Sequence, residues 1–476
     1  MDQSIYQKLV QKLGAHKVSV NRQNLDDYRD DMTELPAHSP DYLVTAYSKA
    51  DILSVVELGR EHNCPIIPVV AKTNTGGLTI PSRGGIILDL KALNRILEVN
   101  ETDQYMRIEP GVTFGQVKEH LDAFYPSLRF GYPLSPPYTS VLANCLLDGL
   151  GNLSLKHGPM GDWINGLEAV LSTGDIIKTG SGAYSGNWSA TTPLPDLTAL
   201  FTNFQSTTGI VTELSVELYP KLKHRKRLFI LTYSVAEAYG LIRTLTRVGL
   251  CDDIAGLSWP LSKMLFDVKY PRHRDPEEPL IIIYLDLSSD YEKELSLKLE
   301  LIDDIISEAR QNGSHIEEPF DIETLIQINP AFQKFSELPT TLDFLLEHGG
   351  GGLTWIGTYG PWSQWEKGIA EGMKIMEEAG FPPIMVSRPM RNGHFVVLRF
   401  ITLFDKGNPA EVQKVSELNQ RLCRMTLNLG FIPYKTPGWI IDELKPDLDP
   451  GYQKYLKLIQ KLMDPSGIMN PGRWNL

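Results

Sequence analysis

The chain has 476 residues, 42% of them hydrophobic, and 46 Lys and Arg against 58 Asp and Glu give a formal charge of −12. A chain this long outgrows one core, so two or three domains are expected. The acidic balance, with a pI near 5.4, argues against nucleic-acid binding, which needs a basic face, and no run reaches the roughly 18 apolar residues of a membrane span.

Met1-Asp2-Gln3-Ser4-Ile5-Tyr6 lacks the basic start and apolar core of a secretory signal. Cys64, Cys145, Cys251 and Cys423 stand far apart, which suits a reducing compartment, and no Cys-x-x-Cys pattern offers a metal or haem-attachment site. A cytoplasmic protein without a metal is expected.

In chain order, Ala50 to Asn63 carries apolar residues at helical spacing (Ile52, Val55, Val56, Leu58), and Pro65 to Val70 reads as a buried strand. A glycine-bearing turn, Ala71 to Gly77, leads to a strand from Gly85 to Leu90. Arg107 to Thr113 reads as strand and turn, Phe114 to Phe124 as a helix, and Gly166 to Lys178 as a strand pair turning on Thr173-Gly174-Asp175. Strands and helices mix without regular β-α-β alternation, so the class is α+β rather than a dinucleotide fold.

After Leu222 the composition shifts. Lys223-His224-Arg225-Lys226-Arg227 is a solvated basic stretch, expected at a domain junction. Beyond it come a strand (Leu280 to Leu287), a charged helix (Tyr291 to Asn312), a helix (Trp362 to Gly380), a strand (His394 to Phe404) and a helix (Pro409 to Leu429). That order suits a ferredoxin-like α+β cap. Tyr452 to Leu476 reads as a helix and then a loop returning to the first domain.

Several short blocks recur in a telling order: Ala71-Lys72-Thr73-Asn74-Thr75-Gly76-Gly77, Gly84 to Leu90, Glu109 to Thr113, Ser140 to Asn144, Gly166 to Leu171, Gln205 to Val211, and Asn470-Pro471-Gly472-Arg473. Each alone is a turn or strand, and the glycine turn lacks the Gly-x-Gly-x-x-Gly pattern of NAD folds. Together they resemble the FAD-linked oxidases that include vanillyl-alcohol oxidase and 4-cresol dehydrogenase (p-cresol methylhydroxylase). The resemblance spans nearly the whole chain. It implies a two-subdomain FAD-binding domain of the PCMH type over residues 1–222, a cap over 223–440, and a segment 441–476 that returns to the first domain.

Through that resemblance Lys72, Thr73, Asn74, Thr75, Gly76, Gly77, Ser140, Asn144, Gly209, Ile210 and Val211 are expected to line FAD. Asn470 and Arg473 are expected to approach its ring. The diphosphate would be met by backbone N–H groups, which glycine lets come close, although the family's Arg-Gly-rich loop here reads Ala71-Lys72-Thr73. In many relatives a His or Tyr on a cap strand binds FAD covalently. The matching strand, Gly350 to Ile356, carries neither, and the flanking His348 and Tyr359 read as surface or turn residues. The flavin is therefore expected to be non-covalent.

On the substrate side, Tyr434-Lys435-Thr436-Pro437 resembles the Tyr-Arg-Thr-His segment with which relatives hold a phenolate. Lysine lacks the planar fork of arginine, and the family's second phenolate-binding Tyr aligns with Gly77. Arg388 to His394 resembles the Met-His-His strand of 4-cresol dehydrogenase, with His394 on the second His and Val397 in place of the active-site acid. Arg388, Arg391 and Arg399 crowd this region, either as surface arginines or as a carboxylate clamp with His394 as general base. His157 reads as a structural histidine near the flavin, and Tyr132 and Tyr138 as pocket wall or simple packing.

Two substrate classes follow for a hydride transfer to flavin N5: an aromatic alcohol or 4-alkylphenol on Tyr434 and Lys435, or a 2-hydroxy acid of the lactate or glycolate type on the arginines. A third reading is an electron-transfer flavoprotein subunit without its own substrate. Expected partners are a small-molecule substrate, a separate electron acceptor (oxygen, a cytochrome or an electron-transfer protein) and further copies of the chain in a homo-oligomer.

Overall fold

The structure is a computed structural model that describes residues 3–266, 268–335, 338–340, 345 and 349–474. Its first layer is a four-stranded sheet of β1 (Val18–Ser19), β2 (Tyr42–Thr45), β3 (Ile66–Val69) and β4 (Ile86–Asp89), ordered β1-β2-β4-β3 and parallel except for β1. The helix Lys49–Glu61 opens with a capping box between Ser48 and Asp51. It buries Ile52, Val55, Val56 and Leu58 in one core with Val44, Ile66, Ile86 and Leu88. Edge strand β3 is covered from far along the chain: Ile66 N–H donates to Ile468 O at 2.8 Å, and Asn470 N–H donates to Ile66 O at 2.9 Å. Exposed strand edges invite unwanted pairing, and this contact closes one end of this edge.

Seven strands follow: β5 (Ile96–Asn100), β6 (Tyr105–Ile108), β7 (Leu128–Arg129), β8 (Ile164–Val170), β9 (Ile176–Lys178), β10 (Ile210–Glu217) and β11 (Tyr219–Pro220). Five of them make an antiparallel sheet in the order β5-β6-β10-β8-β9, while β7 and β11 pair as a ribbon. The helix Phe114–Phe124, capped by Thr113 and Gln116, packs Phe114, Val117 and Leu121 into this core.

The third layer is an eight-stranded antiparallel sheet of β12 (His224–Thr232), β13 (Asp253–Ser258), β14 (Ile281–Ser289), β15 (Phe320–Asp321), β16 (Gly351–Gly360), β17 (Ile384–Met390), β18 (Phe395–Asp405) and β19 (Ile432–Pro433), ordered β15-β12-β14-β13-β17-β18-β16-β19. Alternation along β18 divides its two faces. Val396, Leu398, Phe400 and Phe404 join the largest core, which also takes in the helices Val235–Val248, Trp365–Glu378 and Pro409–Asn428. Val397 packs on the other face with Met390 and Tyr434.

The basic stretch at 223–227 is part exposed, and His224 to Arg227 begin β12, which pairs residue by residue with β14. The charges are neutralised across strands, Arg225 on Asp286 at 2.8 Å and Lys226 on Asp321 at 2.8 Å. The four cysteines are free and buried. No described helix is long and apolar enough to cross a membrane, and among the described residues no group of His, Cys, Asp and Glu is placed to hold a metal.

Candidate functional site

The three sheets meet around a cavity of about 1160 Å³, including the solvent at its mouth. Its wall is assembled from the loop after β3, the segment around Ser140, the turn before β10, Trp355 of β16, Lys435 after β19, and Asn470. Five of its residues, Lys72 (φ 54), Gln205 (φ 54), Ser206 (φ 64), Lys435 (φ 53) and Asn470 (φ 40), hold left-handed backbone without being glycine. Such conformations are uncommon and are found where surrounding contacts impose them.

Those contacts are visible. Asn74 folds the loop after β3 by accepting from the N–H groups of Gly76 at 3.2 Å and Leu78 at 2.9 Å. Gly76 lies so close to the backbone of residue 435 that a Cβ there would come 2.5 Å from the Lys435 carbonyl oxygen. Asn470 Nδ2 donates to Gln205 O at 2.8 Å. Ser140 caps the helix Val141–Leu146, accepting from Ala143 N–H at 3.1 Å, and donates to Pro110 O at 2.7 Å.

Of the cofactor residues named from the sequence, Lys72, Thr73, Asn74, Ser140, Asn144, Gly209, Ile210, Val211 and Asn470 line this cavity. Thr75, Gly76, Gly77 and Arg473 stand behind its wall and shape it. Arg473 is buried, and its Nη2 donates to the carbonyls of Gly77 at 2.7 Å and Ile80 at 2.8 Å. Burial, only partly offset by Asp31, holds its guanidinium down to about 10. Lys72 turns its ammonium onto the Asp27 carbonyl and over the Tyr28 ring at 4.7 Å.

The wall fits a large, oxygen-rich and partly aromatic ligand. Ser135 and Thr139 line the cavity, and their hydroxyl oxygens are buried without a partner in the protein, a state that costs free energy unless a ligand or water answers it. Apolar Val70, Leu78, Leu142, Ile210 and Val211 supply the flat contact surface.

At one end the cavity meets the buried face of the eight-stranded sheet. Lys435 Nζ donates to Asn144 Oδ1 at 2.9 Å and lies 5.7 Å from the Trp355 ring. Arg399 of β18 donates from Nη2 to the Tyr434 hydroxyl, stacks over Trp355 at 4.4 Å, and keeps a buried Nε without a partner. Tyr434 stacks on Tyr359 with centroids 4.6 Å apart and planes at 11°. Burial, with Arg399 as the next cause, pushes Lys435 down to about 7. This constellation can receive an oxyanion on an aromatic body.

The remaining substrate residues are not part of it. Arg388 is buried, ion-paired with Asp253 at 3.0 Å and donating to Gly151 O at 2.7 Å. Arg391 is exposed and paired with Asp162, and His394 is exposed beside it. None of the three lines the cavity. The arginine cluster separates because Arg388 lies on β17, Arg391 on the turn after it and Arg399 on β18; only Arg399 reaches Tyr434.

Tyr359 also departs from expectation. It is a residue of β16, not of a turn, and its hydroxyl donates to Asp148 O at 2.6 Å. His348 lies outside the described residues. His157 packs tilted against Tyr219 with ring centroids 4.0 Å apart, and burial pushes it down to about 4. Tyr132 packs on Phe114 and Phe130, whereas Tyr138 is exposed. Sequence reasoning passed over Trp355 and the pairing of Arg399. The period-two run Trp355, Gly357, Tyr359 was the available signal, placing two aromatic residues on one strand face.

Residues 40–180 match the family model described as an FAD binding domain. The chain is 25% identical to the 4-cresol dehydrogenase [hydroxylating] flavoprotein subunit of Pseudomonas putida, covering 99% of this chain and 96% of that one. A likeness of 32% to the glycolate oxidase subunit GlcD of Bacillus subtilis covers 49% of this chain, which spans only 48% of that relative's length. Among solved structures, p-cresol methylhydroxylase with substrate bound superposes at TM-score 0.87 with 21% identity, over 99% of this chain and 96% of that one. A 4-ethylphenol oxidase from Gulosibacter chungangensis in complex with isoeugenol gives the same TM-score at 18% identity, again over 99% and 96%. The two superpositions show a shared fold.

Proposed function

We propose, from the premise that this chain is an FAD-dependent oxidoreductase of the family that includes 4-cresol dehydrogenase, that it oxidises an aromatic alcohol or a 4-alkylphenol-type substrate. The observation that carries this reading is the Arg399–Tyr434–Lys435 cluster, of which Lys435 lines one end of the cavity while Arg399 and Tyr434 stand behind it. FAD, when bound, supplies the acceptor for a hydride leaving the substrate carbon.

The protein's own residues do the rest. Asn74, Ser135, Thr139 and Ser140 hold the cofactor at the polar stretch of the wall, with Arg473 and Asn470 fixing the loops behind it. Trp355 gives an aromatic ring a flat surface in the cavity wall, with the stacked pair Tyr359 and Tyr434 packed behind the cluster. Arg399 and Lys435 stabilise an oxyanion that builds up as hydride departs, already oriented and shielded from water.

The 2-hydroxy-acid reading needs a free carboxylate clamp. Arg388 and Arg391 are already spent on Asp253 and Asp162, and His394 faces solvent. We read the flavin as non-covalent, since the Tyr359 hydroxyl is engaged by the Asp148 carbonyl and stacked flat on Tyr434. The electron acceptor is taken to be a separate molecule.

The test is anaerobic mixing of the purified yellow protein with 4-alkylphenols, aryl alcohols and 2-hydroxy acids. Bleaching of flavin absorbance by the first two classes is expected. Bleaching by 2-hydroxy acids alone would overturn the reading, and bleaching by none would leave a flavoprotein without its own organic donor.

A further inference from the structure

An oxidation that begins at a hydroxyl needs a place for the hydroxyl proton. The candidates named from sequence are poorly placed for it. His394 is exposed outside the cavity, His157 is packed against Tyr219, and Val397 is apolar. Lys435 is the ionisable side chain that lines the cavity next to the oxyanion cluster.

We propose that Lys435 is the general base: its Nζ takes the proton of the substrate hydroxyl, leaving an oxyanion between Lys435 and Arg399. The inference rests on the oxidation proposed above and adds a role to one residue of it. In the step the substrate O–H bond breaks, the electron pair stays on oxygen, and a new N–H bond turns the amine into an ammonium. The charge created on oxygen then lies beside two cations, so proton transfer and oxyanion stabilisation are served by one side chain.

Three features support a neutral resting amine. First, no carboxylate pairs with Lys435, and the attraction of the Trp355 and Tyr434 rings, Asp148 and Cys145 is outweighed by burial and by Arg399. Arg399 of β18 is a cation, Asn144 offers an amide oxygen, Trp355 a ring, and Cys145 a buried thiol. Second, the nearest carboxyl, Asp148, makes no ion pair with Lys435; burial pushes it up to about 6, and it accepts instead from Asn203 and Gly161 N–H. Third, the backbone is pinned, with φ 53 at Lys435 and Gly76 packed under its carbonyl, so the side chain cannot swing to solvent by a local backbone change. A buried lysine in such surroundings gives up its proton readily, which arginine does not.

The experiment uses the FAD-loaded protein and 4-cyanophenol, a phenol with no oxidisable carbon. Binding at about pH 7.5 should develop the phenolate absorption band with little proton release to an indicator dye, because the amine keeps the proton. Lys435→Arg, which keeps the charge but cannot accept a proton, should give the same band with about one proton released per site. The rate of flavin reduction should rise with pH up to about 7 in the parent, and Lys435→Arg should lose that limb together with roughly 10²- to 10⁴-fold of the rate.

A bound phenol that stays neutral, or a parent that releases a full proton, would overturn the proposal. So would a Lys435→Arg protein that keeps both the rate and the limb; should 4-cyanophenol bind too weakly to follow, that pH profile decides alone. Flavin content and melting temperature of the variant exclude misfolding, and Lys435→Met gives an independent check of the same limb. If no phenol or aryl alcohol bleaches the flavin, the oxidation reading itself fails. If they do and Lys435→Arg behaves as the parent, only the base is wrong.

Discussion

Arg473 donates to the carbonyl oxygen of Gly77 at 2.7 Å across 396 residues of chain. A second bond from the same nitrogen reaches Ile80 O at 2.8 Å. The guanidinium is therefore a clamp on the loop that forms the cavity's polar wall, not a surface charge, and it tolerates burial because two carbonyl dipoles answer it.

Removing that clamp should loosen the cofactor. Loss of a charge-assisted hydrogen bond is worth about 1.5–3 kcal/mol, or roughly 10- to 150-fold in affinity. Titration of FAD into the apoprotein should show Arg473→Ala weakened by that factor, and deletion of residues 464–476, which also removes Ile468 and Asn470, should leave a colourless protein. An unchanged dissociation constant in Arg473→Ala would contradict the clamp.

The attachment of the flavin has a simpler check. With Tyr359 stacked on Tyr434 and bonded to the Asp148 carbonyl, acid precipitation should release all of the yellow colour into the supernatant. Flavin absorbance retained by the washed pellet would show a covalent bond.

Lys435 links the site to stability. Burial, then Arg399, pushes it down from 10.5 to about 7, so between those values the unfolded chain binds more protons than the folded protein. Stability from this site therefore rises with pH across that window, and the cost of the enclosed ammonium is complete below about pH 7. Lys435→Met should melt higher than the parent at about pH 6, by on the order of 1–3 kcal/mol, with the gain shrinking toward about pH 10. A gain that grows with pH would reverse the assignment.

Arg399 and Tyr434 should act as a unit. Arg399→Met and Tyr434→Phe are each expected to slow flavin reduction by roughly 10- to 150-fold. The double variant should lose less than the product of the two, since either change removes the shared hydrogen bond. Stopped-flow reduction of all four proteins measures the coupling, and simple multiplication of the two losses would mean that the pair acts independently.

Arg388 should behave differently. Asp253 is fully buried and its ion pair with Arg388 is close to it, so Arg388→Met strands a carboxylate and should cost about 3–5 kcal/mol of stability. Denaturant unfolding checks this, and Arg388→Met with Asp253→Asn should recover part of the loss. A variant of unchanged stability with a selectively lost substrate response would instead return Arg388 to the substrate.

Local pattern carried much of the architecture. Thr113 and Gln116 mark the start of the helix Phe114–Phe124, and the apolar run at 66–69 marks β3, because capping and burial leave short-range signatures. The basic run at 224–227 does not read as a strand because its neutralising partners, Asp286 and Asp321, are 61 and 95 residues away. The arginines separate for the same reason. Nothing near Arg388 or Arg391 in sequence announces Asp253 or Asp162, so three residues that are neighbours on paper have three different fates.

The bridge from Ile66 to Met469 also sets an order of events during synthesis. β3 leaves the ribosome early, but the residues that complete its edge and tether the loop beyond it emerge only after the entire eight-stranded sheet. Domains fold as they appear, so the lid over the chamber exists before the pocket can grip its redox group. A nascent chain, like the protein lacking 464–476, is then expected to take up its flavin only when its last residues emerge, after the chamber that screens its reactants is built.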